Sequence, residues 1–158
     1  MVISQTSEYA LRAVVHLAFE QRERGHGEPI SQTVQQIADA TRVPVNYLSK
    51  VLQQLARAKL ILSQRGLGGG FRLLVTPDVL TVYEVVNAVD PVQRITGCPL
   101  RLAAHCDRLC PMHQRLDDAM ALIEEQFRAT KIVDLLDQPG TLIPLREQRD
   151  EPRKSEEN

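Results

Sequence analysis

At 158 residues the chain has room for one ordinary domain, or a small domain with an oligomerisation arm. Its 43% hydrophobic and 25% charged residues describe a globular chain, and 4% aromatics without tryptophan leave a core of Leu, Val, Ile and Ala, which favours helices. The apolar stretches are too short to span a bilayer, and Met1 to Glu8 carries no basic region ahead of an apolar segment, so a cytoplasmic location with no membrane partner is expected. The net charge of −1 conceals a division. Met1 to Val75 carries nine Lys/Arg against five acids, whereas the remainder carries ten against fifteen. Between Asp39 and Asp78 there are six Lys/Arg and no acid, as a phosphate-binding face requires.

Ala10, Ala13, Val14, Leu17 and Ala18 repeat with helical period, so a first helix is expected from Thr6 to Gln21, capped by Ser4, Thr6 or Ser7. Arg24 to Pro29 reads as a loop. Thr33 then caps a short helix, Val34 to Ala40, with Ile37 and Ala38 inward. Thr41-Arg42-Val43 makes a tight turn, and Pro44 suits the first position of the next helix. In that third helix Leu48, Val51, Leu52 and Leu55 form a buried stripe. Asn46, Lys50, Gln53 and Arg57 form a second stripe with two cations and no acid. Short helix, three-residue turn and a helix so decorated constitute a helix-turn-helix.

A wing follows. Leu60 to Gln64 is a short strand, Arg65 to Gly70 a turn, and Phe71 to Val75 the returning strand. The run containing Gly68 and Gly69 lets the backbone approach a surface closely. A nucleotide-phosphate loop would need Lys-Ser/Thr and a helix after the glycines, and Phe71-Arg72 opens a strand instead. Val82, Val85, Val86 and Val89 build a helix ended by Asp90-Pro91. An irregular loop from Gln93 to Leu109 precedes a long helix starting at Pro111. There Met112, Leu116, Ala119, Ile123 and Phe127 recur opposite the acids Asp117, Asp118, Glu124 and Glu125. Such a stripe calls for a partner helix, and a symmetric homodimer supplies one. Ile132 to Leu136 adds a last turn, and the chain beyond Pro139 reads as a disordered tail.

All three cysteines, Cys98, Cys106 and Cys110, fall within thirteen residues, with His113 three after the last. In a reducing compartment this clustering indicates metal or redox chemistry. Cys110 and His113 share a helical face, so both can address one atom. An iron–sulfur cluster, a Cys3His zinc site and a redox-switchable thiol pair all remain open on spacing alone. A Cys110 nucleophile with His113 as base would lack an orienting acid, so an enzyme is not expected.

Three strings, Thr6-Ser-Glu-Tyr-Ala-Leu-Arg12, Pro44-Val-Asn-Tyr-Leu-Ser-Lys-Val-Leu52 and Arg65-Gly-Leu-Gly-Gly-Gly-Phe71, resemble the Rrf-two family of bacterial winged-helix regulators, the IscR/NsrR type. The resemblance covers Met1 to about Leu136. It implies a homodimer on a double-stranded DNA operator, with recognition helices in successive major grooves and wings at the minor groove. By position, Arg65 is the minor-groove arginine, and Asn46, Tyr47 and Lys50 open the recognition helix. Cluster-binding members hold a [2Fe–2S] or [4Fe–4S] centre on three cysteines in this loop. Their fourth ligand is either a histidine three residues on, here His113, or an acid early in the partner's first helix, here Glu8. Cys98 and Cys110 keep the family-like separation, whereas Cys106 is displaced towards Cys110. Arg42 and Lys59 stand where glycines are expected, adding positive charge and asking a non-glycine for an awkward turn conformation.

The expected protein is therefore mainly α with a small β wing. Residues 1–90 form a winged helix-turn-helix domain, 91–110 a cysteine-bearing loop, 111–137 a dimerisation helix and 138–158 a tail. The expected function is sequence-specific DNA-binding regulation, in the sense of a repressor, under control of an iron–sulfur cluster or thiol redox state. The alternative is a cluster-free regulator answering a small molecule or cysteine oxidation. The DNA-contacting set is Arg42, Asn46, Tyr47, Lys50, Gln53, Arg57, Arg65, Gly68 and Gly69, and the ligand set is Cys98, Cys106, Cys110 and His113, with Glu8 as alternative.

Overall fold

The structure, a computed structural model, describes residues 3–24, 31–98 and 109–137. Cys106, most of the loop at Arg24 to Pro29 and the tail lie outside the described residues. The elements run α1 (Gln5–Glu23), α2 (Val34–Thr41), α3 (Val45–Arg57), β1 (Ile61–Gln64), β2 (Gly70–Leu73), α4 (Val82–Val89), α5 (Pro111–Ala129) and α6 (Ile132–Leu136).

Local chemistry explains the boundaries. Ser4 caps α1 by accepting the Ser7 N–H, and Thr33 and Thr81 form capping boxes with Gln36 and Glu84 at the starts of α2 and α4. Pro44 is the N-cap of α3 and not its first residue, its carbonyl accepting the Leu48 N–H at 3.0 Å. α2 ends on Arg42 at φ 56°, and Lys59, just after α3, stands at φ 60°. Both positions expected to require left-handed backbone adopt it without glycine, and a non-glycine there costs about 1 kcal/mol.

The buried helix α1 is the centre of the molecule, packing against α2, α3, α4, α6 and β2. Ala10, Ala13, Val14 and Ala18 on its inner side are wholly inaccessible, and Leu48, Leu52 and Leu55 of α3 meet them in one apolar core. β1 and β2 pair antiparallel in the register Ile61↔Leu73, Leu62↔Arg72, Ser63↔Phe71, Gln64↔Gly70. A further bridge joins Gln32 to Phe71 through two main-chain bonds of 2.9 and 2.7 Å, so the wing is attached to the segment entering α2.

α6 was expected to extend the long helix. It is instead a separate element that turns back after Thr130-Lys131. Val82 donates to the Thr130 carbonyl at 2.9 Å, Ile132 to Leu80 at 2.8 Å and Val133 to Pro77 at 2.9 Å. Ile132 and Leu136 thereby enter the core beside α1. Among the described residues no helix is long and apolar enough to cross a membrane.

Candidate nucleic-acid interface and cysteine site

On α3 the buried stripe faces the core, and Asn46, Tyr47, Lys50, Gln53 and Arg57 are all exposed. No acid occurs on the helix, so this outer face carries cations without internal neutralisation. The Tyr47 ring lies 6.3 Å from that of Tyr9, whose hydroxyl accepts a 2.8 Å bond from Gln5. That contact ties the start of α3 to α1, and the sequence reading did not anticipate it. Arg42, exposed at the end of α2, belongs to the turn before α3.

The wing turn places Arg65 directly after β1, exposed, and closes with the Gly69 N–H donating to the Gly66 carbonyl at 2.9 Å. Gly68 stands at φ 75°, the left-handed region glycine enters without penalty. Helix, turn, helix and wing in this order, with a cationic outer face, define a winged helix-turn-helix protein of the transcription-regulator class.

The loop cysteines are placed in part. Cys110 is the N-cap of α5, half-buried, with its Sγ 3.3 Å from Nδ1 of His113, which is buried one turn further on. The shared helical face expected for these two residues is what brings them together. Cys98 is half-buried at the end of the segment after α4, and neither Cys98 nor Cys110 is in a disulfide. Among the described residues no group of three or more His, Cys, Asp or Glu comes together as a metal site. Glu8 is engaged within its own chain. It accepts Nε–H and Nη2–H bonds from Arg12, which also donates to the Thr41 carbonyl at 3.3 Å.

One expectation about α5 is corrected. Asp117 was read as a solvent-facing acid opposite the apolar stripe, and it is buried. It accepts Nε–H and Nη2–H of Arg94 at 2.7 and 2.6 Å and the Ile95 backbone N–H at 2.8 Å. The Arg94 guanidinium holds the Asp117 carboxyl below its ordinary value, and Asp117 in turn raises Arg94. The stability this contact contributes is present above the ordinary carboxylate value of 3.8 and is lost as pH falls below it. Meanwhile Met112 (60%), Leu116 (48%) and Leu122 (63%) are exposed. Ile123 and Phe127 are half-buried against a groove of about 470 Å3 lined also by Ile3, Ser7 and Val86. The i+3/i+4 spacing from Cys110 through His113 to Asp117 was the available signal for the buried acid.

A family model described as Rrf2, iron-dependent transcriptional regulator, matches residues 3–138, and the chain belongs to this family. It is 26% identical over 138 residues to the HTH-type transcriptional regulator NsrR of Shouchella clausii, covering 86% of this chain and 89% of the relative. Its fold is similar to that of T. potens IscR, with TM-score 0.66 and 19% identity over 85% of each chain. It is also similar to CymR (YrzC), the global cysteine regulator of B. subtilis, with TM-score 0.65 and 22% identity over 84% of this chain and 94% of that one. The chain is thus a transcriptional regulator and not an enzyme.

Proposed function

We propose that the chain binds double-stranded DNA sequence-specifically, as a cytoplasmic homodimer acting as a repressor, and that its affinity answers the state of the cysteine loop. Residues 1–90 serve as the DNA-binding domain, 91–110 as the sensing loop and 111–137 as the dimerisation arm. The observation that carries the DNA reading is the acid-free outer face of α3, where Asn46, Lys50, Gln53 and Arg57 are exposed together beside a wing bearing Arg65, Gly68 and Gly69. Arg42 and Tyr47 extend that face at the start of the reading helix. Cations here release counterions from the phosphate backbone, and polar side chains read base edges in the major groove.

For the sensing half, the supporting observation is the 3.3 Å approach of the Cys110 sulfur to His113. Thiolate and imidazole are the donor types that hold an iron–sulfur cluster, so this pair fits one, with Cys98 and Cys106 completing the set. A bound cluster would supply a group whose loss on oxidation re-angles the loop. His113 is favoured over Glu8 as fourth donor because it already stands against Cys110, whereas Glu8 is held by Arg12. The same thiol–imidazole contact suits a second reading, in which oxidation of Cys110 itself is the signal.

The deciding experiment is anaerobic purification followed by an absorbance spectrum, iron and sulfide assay, and affinity for duplexes enriched from a random DNA pool. Cys98→Ala or Cys110→Ala is expected to remove the iron, and His113→Ala to leave it bound but less stable. Iron-free wild-type protein whose DNA affinity responds to thiol oxidation would select the second reading. If neither treatment changes affinity, the sensing proposal fails and the DNA reading stands.

The exposed apolar side chains of α5 support the dimer. Leu116→Asp with Leu122→Asp is expected to yield monomers in sedimentation and to weaken specific DNA binding, because a single half-site supplies too little energy. A variant that sediments as a dimer places the contact elsewhere.

A further inference from the structure

The start of the reading helix is held from α1 at two points. The Arg12 guanidinium donates to the Thr41 carbonyl at 3.3 Å, so it fixes the main chain of the turn that leads into α3. Arg12 is kept in place by Glu8, one turn earlier on the same helix. The second hold is on a side chain. Tyr47 lies in the first turn of α3, its N–H donating to the Pro44 carbonyl at 3.0 Å, and 60% of the residue is exposed. A tyrosine so exposed would ordinarily exchange between staggered positions. Here the ring of the half-buried Tyr9 stands 6.3 Å from it at an interplanar angle of 57°, a tilted arrangement of the kind aromatic pairs prefer. Tyr9 is fixed at both ends. Its ring packs against the apolar core, and its hydroxyl accepts the 2.8 Å bond from Gln5, four residues earlier. A ring anchored in the core thus supports one that reaches into solvent.

We propose that Tyr9 is a positioning residue for DNA binding: it holds the Tyr47 side chain in the orientation in which that ring meets the duplex, so that Tyr47 is already ordered on contact. Tyr9 acts through Tyr47 and need not touch DNA itself. The proposal rests on the DNA-binding reading of the outer face of α3 and is independent of what the cysteine loop senses. Ordering one such side chain beforehand saves the entropy of immobilising it at the interface, which corresponds to about two- to tenfold in affinity.

The test measures affinity of the full-length protein for a duplex selected from a random pool. Tyr9→Leu keeps apolar bulk in the core but drops the ring, and it is expected to weaken binding by about fivefold. Tyr9→Phe keeps the ring and is expected to stay within about twofold of the parent. Tyr47→Ala should also weaken binding, and in that background Tyr9→Leu should cause no further loss, because its only route to the duplex has gone. The Arg12 bond to Thr41 remains in every variant, so the reading helix keeps its place. Without DNA, the Tyr47 ring-proton resonances, identified by their absence in Tyr47→Ala, should lose the shift imposed by the neighbouring ring in Tyr9→Leu and retain it in Tyr9→Phe. Should Tyr9→Leu fail to fold, Tyr9→Met takes its place, its flexible chain filling the same space. Full affinity in Tyr9→Leu, equal losses in the two backgrounds, or unmoved Tyr47 resonances overturn the proposal. If Lys50→Ala weakens binding while Tyr47→Ala does not, the proposal falls and the DNA reading stands. A parent that prefers no duplex sinks both.

Discussion

Replacing Arg65 by alanine is expected to lower affinity for a selected DNA site by about 1–3 kcal/mol, roughly five- to 150-fold. The residue follows β1 directly, at the edge of a turn whose remaining members are glycines and Leu67, so no second cation in the turn can substitute. A guanidinium gains most where the minor groove is narrow and its potential most negative, so the loss should be largest on A·T-rich flanks. Lys50→Ala and Arg57→Ala provide the contrast. A lost phosphate contact weakens binding to all sequences alike and reduces the salt slope by about one. Titrations of each variant at several salt concentrations, against both the selected site and its G·C-flanked derivative, separate these effects. Unchanged affinity in Arg65→Ala would take the wing out of the interface.

The second large effect is structural and falls on Gly70. A Cβ at this position would meet the Gln32 carbonyl oxygen at 2.4 Å, its carbon at 2.6 Å and its nitrogen at 3.0 Å, with φ at 150°. Those atoms are backbone, and they belong to the bridge that attaches Phe71 to Gln32. Gly70→Ala must therefore break the bridge or bend the strand. The cost is expected to be at least about 2 kcal/mol, seen as a fall in thermal midpoint of about 4–8 °C for a chain of this size. Gly66→Ala is the control, because its added Cβ meets nothing within 4 Å and only the positive φ of 97° is penalised. Circular dichroism melts in which the two variants fall equally would show that the approach to Gln32 does not matter.

What was legible in the sequence was what repeats locally. The α3 stripe emerged because a helix returns a residue to the same face every three or four positions, and Leu48, Val51, Leu52 and Leu55 obey that rule. The wing emerged because its glycines leave few alternatives to a turn between strands. The Cys110–His113 contact was readable for the same reason as the α3 stripe, being one helical turn. Asp117 was misplaced because its partner Arg94 is 23 residues away: its spacing puts it on the face of Cys110 and His113, but nothing within α5 names the cation that clamps it there. α6 was misread likewise. The bridge from Thr81 to Lys131 that sends it back to the core spans half a hundred residues of sequence. The Tyr9–Tyr47 contact also depends on how two helices cross, which neither helix encodes alone.

The attachment of the wing has a mechanical corollary. Gln32 holds Phe71 by its main chain and His16, deep in α1, by its side chain at 2.6 Å. Wing, central helix and the segment entering α2 are thereby joined through one residue. If the cysteine loop does signal as proposed, the link between wing and α1 is one that such a signal would have to work around. In the proposed homodimer the adjustment left would be the pitch between two subunits along one duplex, and the quantity under control would be the spacing of half-sites that the pair can straddle.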